Sequence, residues 1–404
     1  MAATTTLIRN ARLLDVVAGD YRTGIQIQIA DGRIADIGTG LAAAGAEVID
    51  ARDRVVMPGL MDGHVHPMLS SLDIGELRHA RVTLLAQKAR IALEDMLRRG
   101  FTTARDACGG DRGLTDAIDQ GLINGPRLFV SGRALSQTGG HGDARSATDF
   151  CGAHHDLAGR IADGVDAVRL AAREELKAGA HQLKIMASGG VASPTDEIWT
   201  LQYTVAEMRA AVEEAAARRT YVLAHAYTAD AITKAVEAGV RSIEHGNLLD
   251  ADAAAAMATH GTFLVPTLIT YEKIYELGEQ LGMPADQRRK VIDVIDAGLD
   301  SLEIARAAGV KIGFGTDLLG ALQVHQSGEF RIRAKAEQPI DVIRSATVVN
   351  AELFGLAGEA GILEPGATAD LLIVAGDPLA DLSVLADESN IELVMRTGEV
   401  RFAR

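Results

Sequence analysis

Two cysteines, Cys108 and Cys151, are all that 404 residues contain, so no disulfide framework can be read from the chain. That scarcity suits a reducing compartment. Aromatic residues make up only 4%, and basic residues are outnumbered, leaving a formal net charge of −15. Such an acidic surface repels nucleic acid and anionic membranes, and no basic stripe with interleaved aromatics is present to offset it. No apolar run approaches the ~20 residues that span a bilayer. The first residues lack a basic stretch followed by an apolar run and a small-residue cleavage site. A cytoplasmic protein without nucleic-acid or membrane partners is therefore expected. What is present is an ordinary globular balance, 48% hydrophobic and 24% charged, in a chain long enough to bury a substantial core.

The two ends read differently from the middle. Gly24-Ile25-Gln26-Ile27-Gln28-Ile29 alternates at period two, and Asp31-Gly32 turns it into a second strand, Arg33–Ile37. At the other end Asp370–Val374 reads as a strand, and Glu392–Met395 leads toward a turn at Thr397-Gly398. The simplest packing joins residues 1–56 and 357–404 as one small β-sandwich domain. Residues 57–356 alternate strand and helix, the rhythm of a parallel sheet with helices outside it. The strand candidates are Val55–His66, Thr102–Asp106, Arg127–Gly132, Gln182–Ala187, Tyr221–His225, Ser242–His245, Thr262–Pro266 and Lys311–Asp317. Between them, Thr204-Val205-Ala206-Glu207 is a capping box ahead of an apolar stripe at Met208, Ala211, Val212 and Ala215. Eight β/α units closing on themselves predict an α/β protein of the (β/α)8 TIM-barrel class, with its chemistry at the carboxyl ends of the strands.

The histidines fall where that chemistry belongs. His64, His66, His225 and His245 each lie at or just past the end of a predicted strand. His64 and His66 are two apart, so both rings point to one side of their strand. Neutral imidazoles converging on one point are the commonest ligand set for zinc and its neighbours. A single histidine of this kind is most often a satisfied core or surface residue; four at strand ends, with Asp317 at a fifth, are not. Burying Asp317 unpaired would be costly, and a metal or a protonated histidine beside it removes the cost. Lys184 lies within the apolar run Leu183-Lys184-Ile185-Met186, where it either pairs with an acid, snorkels outward, or joins the site. Cys151, His154 and His155 also invite a metal reading, although adjacent loop histidines seldom form a site.

The run Pro58-Gly59-Leu60-Met61-Asp62-Gly63-His64-Val65-His66 resembles the strand-one signature of the amidohydrolase superfamily. So do Ser136-Gln137-Thr138-Gly139-Gly140-His141, Lys184-Ile185-Met186-Ala187-Ser188-Gly189-Gly190, Ile243-Glu244-His245-Gly246-Asn247 and Gly315-Thr316-Asp317. The resemblance covers nearly the whole chain. It is strongest to the branch that holds imidazolonepropionase and the bacterial prolidase-like enzymes. It implies two divalent metal ions, zinc first among the candidates. His64, His66 and Asp317 would hold the more buried ion, and His225 and His245 the more exposed one. Lys184, carboxylated on its amine, would bridge both. A hydroxide between the ions would attack an amide carbonyl, and Asp317 would be the catalytic residue that carries a proton to the leaving nitrogen. His141 would touch substrate rather than solvent, and Tyr227 would either donate its hydroxyl to substrate or simply pack. The implied substrate is a dipeptide or N-acyl amino acid, with aryl amides of the ochratoxin kind as the same reaction on a larger acyl group. A cyclic-amide hydrolase of the imidazolonepropionase type and a metal-free scaffold are the alternatives. The resemblance further implies a homo-oligomer, up to an octamer.

Overall fold

A computed structural model of the chain describes residues 5–42, 44–149 and 156–404. Cys151, His154 and His155 lie outside the described residues. Strands from both ends of the chain join one eight-stranded sheet. Thr6–Asp15, Asp20–Ala30 and Arg33–Gly38 come from the first end, Leu371–Val374, Ile391–Arg396 and Glu399–Ala403 from the last. Val55–Pro58 sits between the two sets, parallel to Thr6–Asp15 and antiparallel to Leu371–Val374. Ile25, Ile27 and Ile29 are buried while Gln26 and Gln28 are half-buried, as the alternation predicts. Ile8, Ile27 and Ile34 then share an apolar cluster with Leu371, Ile373 and Met395.

Two tight turns show why glycine is needed. Asp31 and Gly32 take φ of 51° and 74°, and Thr397 and Gly398 take 52° and 76°, the positive pair of a two-residue hairpin turn. The turns also touch. A Cβ on Gly32 would stand 2.9 Å from the Thr397 carbonyl oxygen, and one on Gly398 2.8 Å from the Gly32 Cα.

The middle of the chain is of TIM-barrel type. Leu60–Val65, Phe101–Asp106 and Arg127–Phe129 form one parallel sheet. Gly159–Ile161, Ala134–Ser136, Leu183–Met186, Val222–Thr228, Ser242–Leu248 and Phe263–Val265 form a second, in that order. Helices such as Val82–Arg98, Val165–Lys177, Val205–Ala217 and Ala229–Ala238 return the chain between strands. The Thr204–Glu207 capping box is formed in both directions, and Met208, Ala211 and Ala215 are buried behind it.

Three departures from the expected strands have identifiable causes. The run Val55–His66 is two strands: Val55–Pro58 belongs to the terminal sheet, and Leu60–Val65 begins the parallel one. They part at Gly59, where a Cβ would stand 2.1 Å from Thr102 Oγ1. The segment Lys311–Asp317 makes no ladder, only a bridge from Ile312 to Leu264. It is nevertheless threaded between the two sheets. Gly313 N–H donates to Leu264 O (2.7 Å), Gly63 N–H to Phe314 O (2.7 Å) and Asp317 N–H to His64 O (2.8 Å). Gly315 permits the approach, since a Cβ there would lie 2.4 Å from Val265 Cγ1 and 3.0 Å from His64 Cβ. Finally, Ala134–Ser136 and Gly159–Ile161 are three-residue strands, too short to leave a periodic signal. No helix among the described residues is long and apolar enough to cross a membrane.

Candidate active site

The strand ends deliver their side chains into one cavity. His64, His66, His141, Lys184, His225, Tyr227, His245 and Asp317 all line it. The loops that follow the first and third expected strands contribute Leu69, Ile74, Ala144 and Ala158 to its walls.

Asp317 is the hub. Its Oδ1 lies 2.9 Å from His66 Nε2 and 3.3 Å from His64 Nε2, and its Oδ2 lies 3.9 Å from His245 Nδ1. His64, His245 and Asp317 each offer an atom, and those atoms all lie within 4.8 Å of one another, a spacing that suits a single metal ion. His245 and Asp317 both hold the left-handed conformation, at φ of 76° and 53°. For non-glycine residues that costs on the order of 1–3 kcal/mol each, a strain that clusters at functional sites.

Partners outside the cavity orient these rings. Glu244 Oε2 lies 2.8 Å from His64 Nδ1, so the Nε2 of His64 is the nitrogen left to face Asp317. Glu244 in turn accepts from Arg105 Nη2 at 2.8 Å, and Arg105 Nε donates to Gly63 O at 2.7 Å. All three side chains are buried, so losing either member of the Glu244–Arg105 pair would strand a charge in a dry interior. Asp62 accepts from His64 N–H (3.0 Å), Thr316 Oγ1 (2.7 Å) and Gln326 Nε2 (2.8 Å), tying the strand-one motif to the segment that carries Asp317. His66 Nδ1 meets Cys108 O at 3.0 Å, and His245 Nδ1 meets Thr267 Oγ1 at 2.8 Å.

Burial pushes the pKa of His64, His225 and His245 well below the ordinary value, which keeps them in the neutral form that binds metals. Burial works against charge on His66 too, but Cys108 and Asp317 beside it raise its pKa, so Asp317 here takes His66 as its counter-ion. Burial also opposes ionisation of Asp317, yet His64 and His66 outweigh it and hold the carboxyl below its usual range.

Lys184 is 2% exposed and has neither a hydrogen bond nor an ion pair among the described residues. It has not paired with an acid, and it has not snorkelled outward. Burial lowers its pKa, favouring the neutral amine. Imidazoles, a carboxylate and an amine that wants a partner are a donor set that fits a divalent cation.

The remaining expected residues are less uniform. His225 turns its Nε2 to Gly189 O (3.0 Å) and stacks on His141 with ring centroids 4.1 Å apart. Like His66 on Cys108 O, it has a ring nitrogen satisfied by a backbone carbonyl. His141 is half-buried rather than a solvent-facing loop residue, and burial lowers its pKa to about 4. Tyr227 is buried, and its hydroxyl accepts from Tyr271 Oη at 2.9 Å. Sequence reasoning missed Glu244, Arg105 and Tyr271. The signal for the first two was a charged residue within a predicted strand; Tyr271 had none.

Comparison with known proteins agrees with this geometry. The family model described as the amidohydrolase family matches residues 55–401. The chain is 32% identical to ochratoxinase of Aspergillus niger over 366 residues, covering 86% of this chain and 76% of that protein. It is 26% identical to imidazolonepropionase of Solibacter usitatus, covering 94% of this chain and 91% of that protein. A crystal structure of a prolidase complexed with N-methylphosphonate-L-proline superposes with a TM-score of 0.96 at 46% identity, covering 98% of this chain and 99% of that one. Parallel strands whose ends gather imidazoles, a carboxylate and a buried lysine in one cavity define a hydrolase of the TIM-barrel type that acts on amide bonds. The chain belongs to the amidohydrolase family.

Proposed function

We propose that this chain hydrolyses the amide bond of a dipeptide or N-acyl amino acid, using two divalent cations held by His64, His66, Lys184, His225, His245 and Asp317. Zinc is the cation this donor set suits best. The observation that carries the reading is Lys184: a buried amine with no hydrogen bond or ion pair among the described residues, facing the same cavity as four imidazoles and Asp317. Its neutral amine would add carbon dioxide and release a proton, which turns an isolated buried amine into an anionic ligand. When bound, the cations supply Lewis acidity toward the carbonyl and a water acidic enough to attack at neutral pH.

The chain's own groups do the rest. Asp317 accepts the proton of the attacking water and returns it to the leaving nitrogen, which cannot depart as an anion. His141 and Tyr227 contact the substrate, with Tyr271 behind Tyr227 holding its hydroxyl in place. Leu69, Ile74, Val191, Ile274 and Leu319 supply apolar walls that exclude bulk water. Likeness to a prolidase and to ochratoxinase supports an amide bond beside a residue with a free carboxylate, the acyl side ranging from an amino acid to an aryl group.

The same reading takes residues 57–356 as the catalytic barrel and residues 1–56 with 357–404 as a β-sandwich domain; the shared terminal sheet supports the union of the two ends. It places the protein in the cytoplasm as a homo-oligomer, up to an octamer, and without nucleic-acid or membrane partners, the last of which its net charge of −15 favours.

A screen of N-acyl amino acids and dipeptides ending in Pro, Phe, Arg and Leu tests the proposal. Hydrolysis is expected for at least one series, and amidating its C-terminal carboxylate should raise KM sharply. Turnover of imidazolonepropionate with none of the linear amides would overturn the linear-amide reading in favour of the cyclic one.

A further inference from the structure

The loop that follows strand Leu183–Met186 carries a buried polar chain that ends on His141. Ser193 Oγ lies 2.9 Å from His141 Nδ1 and 3.1 Å from Gly190 O, and it hydrogen-bonds Asp196 Oδ1. Ser193 and Asp196 are both buried. Two donors converge on Asp196 and its loop. Gln202 Nε2 donates to Asp196 Oδ2 at 2.7 Å, while its Oε1 accepts from His141 N–H at 2.9 Å. Lys290 Nζ donates to the carbonyl oxygens of Gly190 (3.2 Å), Ser193 (2.8 Å) and Asp196 (2.6 Å) and stands 3.7 Å from Asp196 Oδ1. Lys290 comes from the helix Ala285–Lys290, so that helix and the loop after Leu183–Met186 are locked together at this point.

Proton counting fixes the direction of the chain. A hydroxyl has one proton to give. Gly190 O and the Asp196 carboxylate can only accept, so the Ser193 proton goes to one of them. The Ser193 oxygen is then an acceptor toward His141, whose Nδ1 must carry the hydrogen. His141 Nε2 has no partner among the described residues, and the ring lines the cavity.

We propose that Asp196 is a positioning residue that acts through Ser193 to hold His141 as the Nδ1–H tautomer, presenting the Nε2 lone pair to the cavity. This rests on the reading of His141 as a substrate-side residue. In the neutral ring Nε2 accepts a hydrogen bond from an N–H or O–H of the substrate and does not donate to its carbonyl. Lys290 and Gln202 keep Asp196 an acceptor, and Lys290 keeps its loop closed over His141.

Kinetics of the metal-loaded enzyme test the relay. Asp196→Asn keeps the shape but offers Ser193 a donor, which frees the hydroxyl proton to turn toward His141. Its kcat should fall about 10–100-fold, the usual range for partners behind a functional histidine, while KM and metal content stay close to wild type. Ser193→Ala should behave alike, and Ser193→Thr, which keeps the hydroxyl, should restore most of the rate. Combining Asp196→Asn with His141→Asn should cost no more than His141→Asn alone. Wild-type kcat in both Asp196→Asn and Ser193→Ala, or full additivity in the double variant, overturns the relay. If His141→Asn itself leaves kcat and KM unchanged, the substrate-side reading of His141 fails and the relay fails with it. If His141→Asn is impaired while the Asp196 and Ser193 variants are not, the relay alone is wrong.

Discussion

Lys184→Ala is expected to lose amide hydrolysis while keeping the fold. Lys184 is buried on strand Leu183–Met186 and holds no hydrogen bond or ion pair among the described residues, so it contributes nothing to folding that alanine would forfeit beyond packing. In the metal-free protein, burying an unpaired amine costs free energy, and removing it there should leave the denaturation midpoint unchanged or raised. A side chain retained at such a cost is typical of a working site, where stability is given up for function. If Lys184 is the ligand proposed above, its loss should lower metal content along with the rate. A short-chain carboxylic acid in the medium, small enough to enter the space left by the side chain, should restore part of both. A Lys184→Ala protein that turns over substrate near the wild-type rate would contradict the role.

Asp317→Asn separates holding a metal from moving a proton. Asparagine keeps an oxygen where Asp317 meets His64 and His66, at 3.3 and 2.9 Å, but it cannot accept a proton at neutral pH. General acid–base catalysis contributes typically ~10²–10⁴-fold, so kcat should fall by that order while much of the metal stays. The defect should be largest for substrates with a basic leaving amine and smallest for activated anilides, whose leaving group departs with less help. Equal, wild-type rates on both substrate types, with metals retained, would remove the proton-transfer role.

Much of the site was legible because barrel chemistry lies at strand ends, and histidines at those ends stand out against apolar runs. His64 and His66 could be placed on one face from their spacing alone, and both reach Asp317. The turn at Asp31-Gly32 and the capping box at Thr204 were legible because each is a local rule satisfied within a few residues. What stayed hidden depends on contacts between distant segments. Glu244 orients His64 across 180 positions of sequence, and Arg105 reaches Glu244 across 139. The break at Gly59 follows from the side chain of Thr102, which a one-dimensional pattern does not carry. Whether a ring nitrogen faces the cavity or a carbonyl, as with His225 and Gly189, is a rotamer choice that spacing leaves open.

Metal content tests the central claim most directly. Elemental analysis of the protein as purified, paired with activity before and after exhaustive chelation, should find about two divalent cations per chain, as expected of a two-metal hydrolase. Activity should vanish with the metals and return on adding zinc, cobalt or manganese. Full activity in a preparation free of divalent metal would contradict the account.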